Sequence, residues 1–261
     1  MCSPCRRLAF LALVAVPMLA QTPVLRVCAD PNNLPFSNAS QEGFENKLAL
    51  LLAAKMNARL EYTWWSQHKS FATKSLDQGA CDVVPGVPAG LPDVLTTAPY
   101  YRSTYVFVTR RDRHLQIASL TDPRLSHLRI GIHVVGDDYA PPAIALAHLG
   151  ITQKVVGYSL FGEYGEANPP RKLIDAVETS AVDVAIVWGP FAGYFSQNES
   201  QPLDISPVMP SIFMGVPFTY EISAAVRKGN IALMTELQRI LQSQITAVQE
   251  ILNEYAVPQL R

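Results

Sequence analysis

The sequence predicts an α/β protein built from two lobes with a cleft between them. Short apolar runs typical of buried strands alternate with segments whose apolar residues recur at helical spacing, which indicates parallel strand–helix–strand units. This alternation begins near residue 25 and begins again near residue 128, and two extended segments, 103–111 and 217–229, follow the two series. The chain is therefore expected to cross between the lobes twice. We predict a leader at residues 1–20, lobe 1 at 21–107 plus 215–261, and lobe 2 at 108–214.

The first residues have the composition of a secretory signal peptide. Arg6 and Arg7 precede the apolar run from Leu8 to Ala20, and polar Gln21 follows it. The run is shorter than the roughly 20 apolar residues that a membrane-spanning helix needs. We expect cleavage near Ala20 and export to the periplasm, either by the general secretory route or, through the paired arginines, by the twin-arginine route.

The charge of the chain argues against two classes of partner. The sequence carries 21 basic and 22 acidic residues, and loss of Arg6 and Arg7 with the leader leaves 19 against 22. Nucleic acids and anionic membranes are bound through a basic stripe, which this balance does not provide. We therefore expect neither as a partner.

Each element of the first series follows from its own pattern. The runs "LRVCA" (25–29), "RLEYTWW" (59–65) and "CDVVPGV" (81–87) predict strands. Between the first two, Phe44, Leu48 and Leu52 fall on one face of a helix. A second helix is predicted at about 71–78.

The second series repeats this order. The runs "LRIGIHV" (128–134), "KVVGY" (154–158) and "VDVAIVW" (182–188) predict strands, with one helix ending before Gly150 and another beginning near Arg171. The tail from Asn230 carries apolar residues three or four positions apart. This spacing predicts a helix that packs back on lobe 1.

Two cysteines remain once the leader is removed. Cys28 and Cys81 lie at or just before predicted buried strands that the fold places side by side. An even pair in an oxidising compartment favours a disulfide. Two free thiols packed as small apolar side chains remain the alternative.

The cleft residues follow from the rule that ligands of open α/β sheets lie beyond the carboxyl ends of the strands. The loops after the predicted strands should therefore form its wall. The candidate ligand-binding residues are Asp30, Asn32, Asn33, Phe36, Trp65, Gly86, Val87, Pro88, Tyr100, Asp137, Asp138, Tyr139 and Trp188.

Several long strings resemble one family of exported proteins. "CADPNNLPFSN", "GVPAG", "TTAPYYRSTYVFV", "NPPRKLIDAV" and "VDVAIVWGPFAGYF" occur in the order found in the quinoprotein-dehydrogenase-associated (MoxJ/XoxJ-type) branch of the family 3 solute-binding proteins. The resemblance implies a periplasmic binding protein-like type II fold. It also implies a role beside a pyrroloquinoline-quinone (PQQ) methanol or alcohol dehydrogenase, with that enzyme and its cytochrome c as partners. The alternative is the substrate-binding component of an ABC transporter for a small solute that is not a typical amino acid.

The chain departs from the amino-acid binders of that larger family at two positions. They usually carry an arginine after the third strand to grip the ligand carboxylate, whereas residues 88–92 hold no cation. They commonly end the sixth strand on an aspartate for the ligand ammonium, whereas this strand ends on Trp188. We therefore expect an aromatic, apolar cleft for a neutral or apolar group or a partner segment, with Asn32 and Asn33 as polar contacts.

Some residues keep two interpretations. Arg102 or Arg129 would replace the missing arginine if either turned into the cleft. Of Asp137 and Asp138, either one caps a helix while the other faces water, or the pair binds a cation or metal. The segment "GPFAGYF" (189–195) is either core of lobe 2 or part of a docking surface.

The sequence favours a protein that is not an enzyme. Its five histidines are scattered, and neither HExxH nor G-x-S-x-G occurs. We expect no catalytic residues, no metal and no cofactor.

Overall fold

The computed structural model describes residues 22–66, 70–134, 140–160 and 166–260. In chain order the strands in these ranges are β1 (Val24–Ala29), β2 (Asn32–Asn33), β3 (Ser37–Asn38), β4 (Arg59–Trp64), β5 (Val83–Pro88), β6 (Val94–Thr96), β7 (Tyr101–Arg110), β8 (Ile130–Val134), β9 (Val155–Ser159), β10 (Val184–Trp188), β11 (Leu203–Pro207), β12 (Ile212–Phe213), β13 (Val216–Pro217) and β14 (Thr219–Arg227). The α-helices are α1 (Phe44–Lys55), α2 (Phe71–Asp77), α3 (Pro141–His148), α4 (Lys172–Glu178), α5 (Gly189–Phe195), α6 (Ile231–Ser243) and α7 (Ile245–Glu254). No helix within the described ranges is long and apolar enough to cross a bilayer.

One sheet runs through both lobes. Its strand order is β4-β1-β5-β14-β7-β10-β8-β9, with β6 paired to β14 and β11 paired to β7. Strand β7 joins the two halves because its first residues pair with β14 and its later residues pair with β10 and β11. The predicted α/β fold class is confirmed.

Lobe 1 contains the parallel strands β4, β1 and β5, with α1 packed on the sheet. Helix α1 forms where it was predicted because Phe44, Leu48 and Leu52 share its buried face. Its first turn is fixed by Asn46, whose Oδ1 accepts the Gly43 N–H at 3.1 Å. The helix ends at Lys55, and Asn57 just beyond it has a positive φ of 49°, the left-handed conformation common after helices.

The tail forms two helices where one was predicted. Helix α6 ends at Ser243 and α7 begins at Ile245, with Gln244 between them. Leu237, Leu241 and Val248 are buried, and both helices contact α1. The apolar spacing is thus continued across a bend, and the tail packs on lobe 1.

Lobe 2 contains the parallel strands β9, β8 and β10. Strand β7 pairs antiparallel with β10 and also with β11. The apolar core of lobe 2 includes Ile130, Leu146 and Ile186, and the short β12–β13 hairpin packs Phe213 against it. The lobe boundaries after residues 107 and 214 stay a prediction.

A disulfide braces lobe 1. Cys28, near the end of β1, is bonded to Cys81, which lies just before β5, and the two Cα atoms are 5.5 Å apart. The bridge packs in a buried apolar cluster with Phe71 and Leu76.

The lobes contact each other across the cleft. The Asn32 side-chain amide donates to the Glu166 carbonyl at 2.6 Å, and its oxygen accepts the Asn168 N–H at 3.3 Å. The rings of Phe36 in lobe 1 and Phe191 in lobe 2 lie 5.1 Å apart. The cleft is therefore bridged on one side by hydrogen bonds and on another by packed rings.

Candidate functional site

A cavity of about 450 Å³ lies between the lobes, within the usual size range of small-molecule sites. Its wall is formed by Asn33, Phe36, Glu45, Gly86, Val87, Pro88, Tyr101, Tyr105, Pro141, Leu160, Trp188, Phe191, Tyr220 and Ile222. Most of these side chains are apolar or aromatic. None of these described residues carries a positive charge.

The lobe 1 wall consists of the loop after β1, the end of β5 and the first turn of α1. The Phe36 carbonyl accepts the Glu45 N–H at 2.9 Å, which ties the loop to the helix. Gly43 permits this approach, since a Cβ on it would lie 2.1 Å from the Phe36 carbonyl oxygen. The close backbone contact places Phe36 and Glu45 side by side in the wall.

Glu45 is the one titratable carboxyl among the described wall residues. It is only 6% exposed, and no hydrogen bond or ion pair joins its carboxyl to another residue in the described ranges. Burial without such a partner raises the pKa of Glu45 to about 8, because desolvation penalises the charged form.

Aromatic rings form the opposite side of the cavity. Trp188, at the end of β10, lies 5.4 Å from the Tyr105 ring and 5.8 Å from the Tyr220 ring, measured between centroids. Burial raises the pKa of Tyr105 and Tyr101, and the nearby Glu45 charge adds to the effect at Tyr101. Both phenols therefore stay neutral at ordinary pH.

The structure brings six of the predicted residues together in the cavity wall. They are Asn33, Phe36, Gly86, Val87, Pro88 and Trp188. Asp137, Asp138 and Tyr139 lie outside the described residues.

Four other predicted residues lie outside this wall. The Tyr100 hydroxyl donates to the Pro85 carbonyl at 3.0 Å, so this buried ring faces lobe 1 while Tyr101 faces the cavity. Trp65 packs on the cluster around the disulfide. Asp30 is buried and its carboxylate accepts the Asn32 N–H at 2.8 Å, which shapes the loop after β1. Asn32 bridges the lobes instead.

The two arginines considered as substitutes do not line the cavity. Arg129 pairs with Asp183 at 2.8 Å at the start of β8. Arg102 is exposed on β7 beside a separate surface depression formed with Pro88 and Glu221. Among the described residues, the wall therefore lacks the guanidinium that would hold a carboxylate.

His133, which lies behind the cavity wall, has a structural environment. His133 is buried on β8, its Nε2 lies 3.0 Å from the Pro170 carbonyl oxygen, and its ring contacts Phe191 at 5.0 Å. Burial lowers the pKa of His133 to about 4. The His133 ring is therefore neutral at pH 7 and packs against Phe191.

The segment 189–195 is mainly core. Phe191 and Phe195 are buried in α5, and Tyr194 stacks on Tyr255 of the tail with centroids 5.6 Å apart. Gly193 lies so close to the tail that a Cβ would be 2.0 Å from the Ala256 carbonyl oxygen. Phe191 also contributes its ring to the cavity wall.

Sequence reasoning missed Glu45, Tyr101, Tyr105, Pro141, Leu160, Phe191, Tyr220 and Ile222. Tyr105 and Tyr220 lie on the segments predicted to connect the lobes, so the connecting segments themselves could have been considered as wall. Glu45 had a weaker signal. It is a polar residue at the helix end nearest the predicted cleft.

Two relatives identify the family. "Protein MoxJ" of Methylorubrum extorquens is 31% identical over 90% of this chain and 81% of its own length. "Protein MoxJ" of Paracoccus denitrificans is 31% identical over 95% of this chain and 93% of its own length. The chain belongs to the MoxJ family. No family model matches it.

Solved structures agree with the MoxJ assignment. The crystal structure of MxaJ from Methlophaga aminisulfidivorans MPT superposes with a TM-score of 0.79 at 29% identity, covering 91% of this chain and 100% of that one. The periplasmic binding protein XoxJ from Methylobacterium extorquens AM1 gives 0.74 at 30% identity with the same coverage. An ancestral cationic amino acid solute-binding protein, 17% identical over 89% of this chain and 95% of its own, gives 0.68 and shows the shared fold alone.

The predicted family and the periplasmic binding protein-like fold are therefore confirmed. MoxJ-family proteins are periplasmic-binding-protein-like proteins associated with methanol dehydrogenase systems.

Proposed function

We propose that this MoxJ-family chain is a periplasmic, non-catalytic accessory protein that contacts the quinoprotein dehydrogenase directly, and that its cavity is a ligand site which does not serve amino-acid transport. The chain would reach the periplasm through residues 1–20. The cytochrome c of the same system would be a further partner. The proposal is supported by a cavity whose described wall residues include no cation, in a chain that matches MoxJ proteins along most of its length.

The cavity wall supports the part of the proposal that concerns transport. A zwitterionic amino acid that entered would lose the hydration of its carboxylate and find no guanidinium or ammonium among the described wall residues. An unpaired buried charge is strongly unfavourable. The wall is instead suited to groups that gain from apolar contact and ring stacking.

An exposed apolar hairpin supports contact with another protein. Strands β12 and β13 are joined by Met214 and Gly215, both with positive φ, as a type I′ two-residue turn requires. Ile212 is 63% exposed and Met214 is 65% exposed, both on this hairpin. Large apolar side chains presented together to solvent are typical of interaction surfaces.

Capture of the dehydrogenase tests the proposal. Affinity-tagged mature chain is immobilised and exposed to purified quinoprotein dehydrogenase, to its cytochrome c and to solubilised ABC permease in separate arms. We expect retention of the dehydrogenase. Retention of the permease alone would overturn the proposal in favour of a transport receptor.

Two matched variants locate the contact. Ile212→Ser with Met214→Ser should lower retention of the dehydrogenase by about tenfold if the hairpin holds a hot spot of the interface. Leu50→Ser is the control. Leu50 is 61% exposed on α1 of lobe 1, so this substitution removes a similar exposed apolar side chain far from the hairpin in sequence. Equal losses of retention in both variants would indicate nonspecific apolar adsorption and contradict a specific contact at the hairpin.

A further inference from the structure

The cavity contains one buried acid in an otherwise apolar and aromatic wall. Glu45 projects from the first turn of α1 toward Gly86, and a Cβ at Gly86 would lie 2.0 Å from its Oε1. The missing side chain at Gly86 thus makes the room that the carboxyl occupies. Burying a carboxyl with no counter-charge among the described residues is costly. Glu45 therefore occupies an energetically unfavourable position in the cavity wall.

Three aromatic rings line the cavity together with this acid. Trp188 meets Tyr105 at an interplanar angle of 60° and Tyr220 at 76°, so the three rings form a corner whose surfaces face different directions. The face of an aromatic ring carries partial negative charge and attracts cations within about 6 Å, Trp most strongly. The hydroxyls of Tyr101 and Tyr105 form no hydrogen bond with another residue in the described ranges.

The carboxyl of Glu45 and the ring faces both favour a positively charged ligand, and the described wall residues include no cation. We infer that the cavity binds a small organic ammonium ion, with its charged nitrogen facing Glu45 and its alkyl groups packed on the rings of Trp188, Tyr105 and Tyr220. This inference rests on the proposal that the cavity is a ligand site. An ammonium that also carries a carboxylate is disfavoured, because the described wall offers that carboxylate no partner.

Binding of such a cation is coupled to a proton. In the empty cavity the raised pKa of Glu45, about 8, keeps the carboxyl protonated at pH 7. A cation beside it favours the carboxylate and lowers that pKa. One proton therefore leaves Glu45 for solvent as the cation enters, and the affinity increases with pH up to about 8.

Three probes of nearly the same shape separate charge from size. Choline carries a quaternary nitrogen, 3,3-dimethylbutan-1-ol replaces that nitrogen with carbon, and glycine betaine adds a carboxylate to the cation. In calorimetry on the mature chain, choline should bind about tenfold or more tightly than either of the other two. Titrations at pH 7 in two buffers of different ionisation enthalpy should show release approaching one proton per choline.

Two variants assign the effect to named residues. Glu45→Gln should lose both the preference for choline over the alcohol and the proton release. Trp188→Leu should weaken choline binding by about tenfold while proton release persists. Glu250→Gln, on the exposed face of α7, is the control and should bind choline as the unaltered chain does. Circular dichroism checks that each variant is folded.

The outcomes separate this inference from the proposed function. The inference is overturned if the alcohol or betaine binds as tightly as choline, or if Glu45→Gln keeps the preference and the proton release. Capture of the dehydrogenase uses no ammonium ion. It therefore succeeds or fails independently.

Discussion

The two sides of the cavity are built by different means. On the lobe 1 side, a disulfide and a set of hydrogen bonds hold the loop after β1, and Ser37 both donates to the Asp30 carbonyl at 2.8 Å and accepts the Asp30 N–H at 3.1 Å. On the lobe 2 side, Trp188 and Phe191 are held by packing of α5 against neighbouring backbone. The lobe 1 side of the wall is therefore held by directional bonds, and the rings of the lobe 2 side are held by close packing.

Removal of the disulfide is the strongest way to weaken the lobe 1 side. The Cys28→Ala, Cys81→Ala double variant should lose about 2–4 kcal/mol in the free energy of unfolding, because the bond closes a long loop in the unfolded chain. The two residues are 53 positions apart. Urea denaturation followed by circular dichroism measures the loss. The unaltered chain with reductant should match the variant, and an unchanged denaturation midpoint would contradict the prediction.

A single methyl group tests the packing of α5. Gly193→Ala places a Cβ against the Ala256 carbonyl and should lower the free energy of unfolding by about 1–3 kcal/mol, the usual range for overpacking. Gly157→Ala is the control, because the nearest atom to its Cβ would belong to the Val134 side chain, at 3.0 Å, and not to backbone. Chemical denaturation of both should show the larger loss at Gly193. Equal stabilities would mean that the tail moves aside without cost.

The acid on the lobe 1 side predicts a dependence of stability on pH. Burial raises the pKa of Glu45 from 4.5 to about 8, so the folded chain binds more protons than the unfolded chain between those values. Stability from this group is therefore complete at low pH and falls as pH rises through the window, by at most about 1.4 kcal/mol per pH unit.

The same profile on Glu45→Gln isolates this group. In urea denaturation the stability of the variant should decline less steeply between pH 5 and pH 8 than that of Glu250→Gln, which keeps Glu45. A decline of the same slope in all three proteins would assign it to other titrating groups.

The Asn32 bridge gives the smallest expected effect. Asn32→Ala removes the two hydrogen bonds to Glu166 and Asn168 and should cost about 1 kcal/mol in the free energy of unfolding. Gln242→Ala, at an exposed position of α6, is the control. A loss no greater than that of the control would mean that the bridge contributes nothing to holding the lobes together.

Much of the fold could be predicted from periodicity. Helix α1 and strands β1, β8 and β10 lie where their apolar patterns placed them, since each buries a face of fixed spacing. The break at Gln244 could not be predicted in this way. The spacing of apolar residues stays regular across it, although α6 contacts β14 and β6 as well as α1.

The site was predictable only in part. The rule for strand ends identified Asn33, Gly86 and Trp188, because it depends on topology alone. The choice between Tyr100 and Tyr101 depends on side-chain direction, which reverses between adjacent extended residues. The position of Glu45 at the helix end gave a weak signal, but its burial could not be predicted because it depends on how closely the loop at Phe36 approaches α1.

Strand β7 has a consequence for how the molecule comes apart. Its backbone N–H and C=O groups are shared between β14 on one part of its length and β10 and β11 on the other. Neither half of the sheet can lose its hydrogen bonds to this strand without leaving an unpaired edge on the other half. Amide protons along β7 should accordingly be among the last to exchange with deuterium, and heating should melt both halves in a single transition.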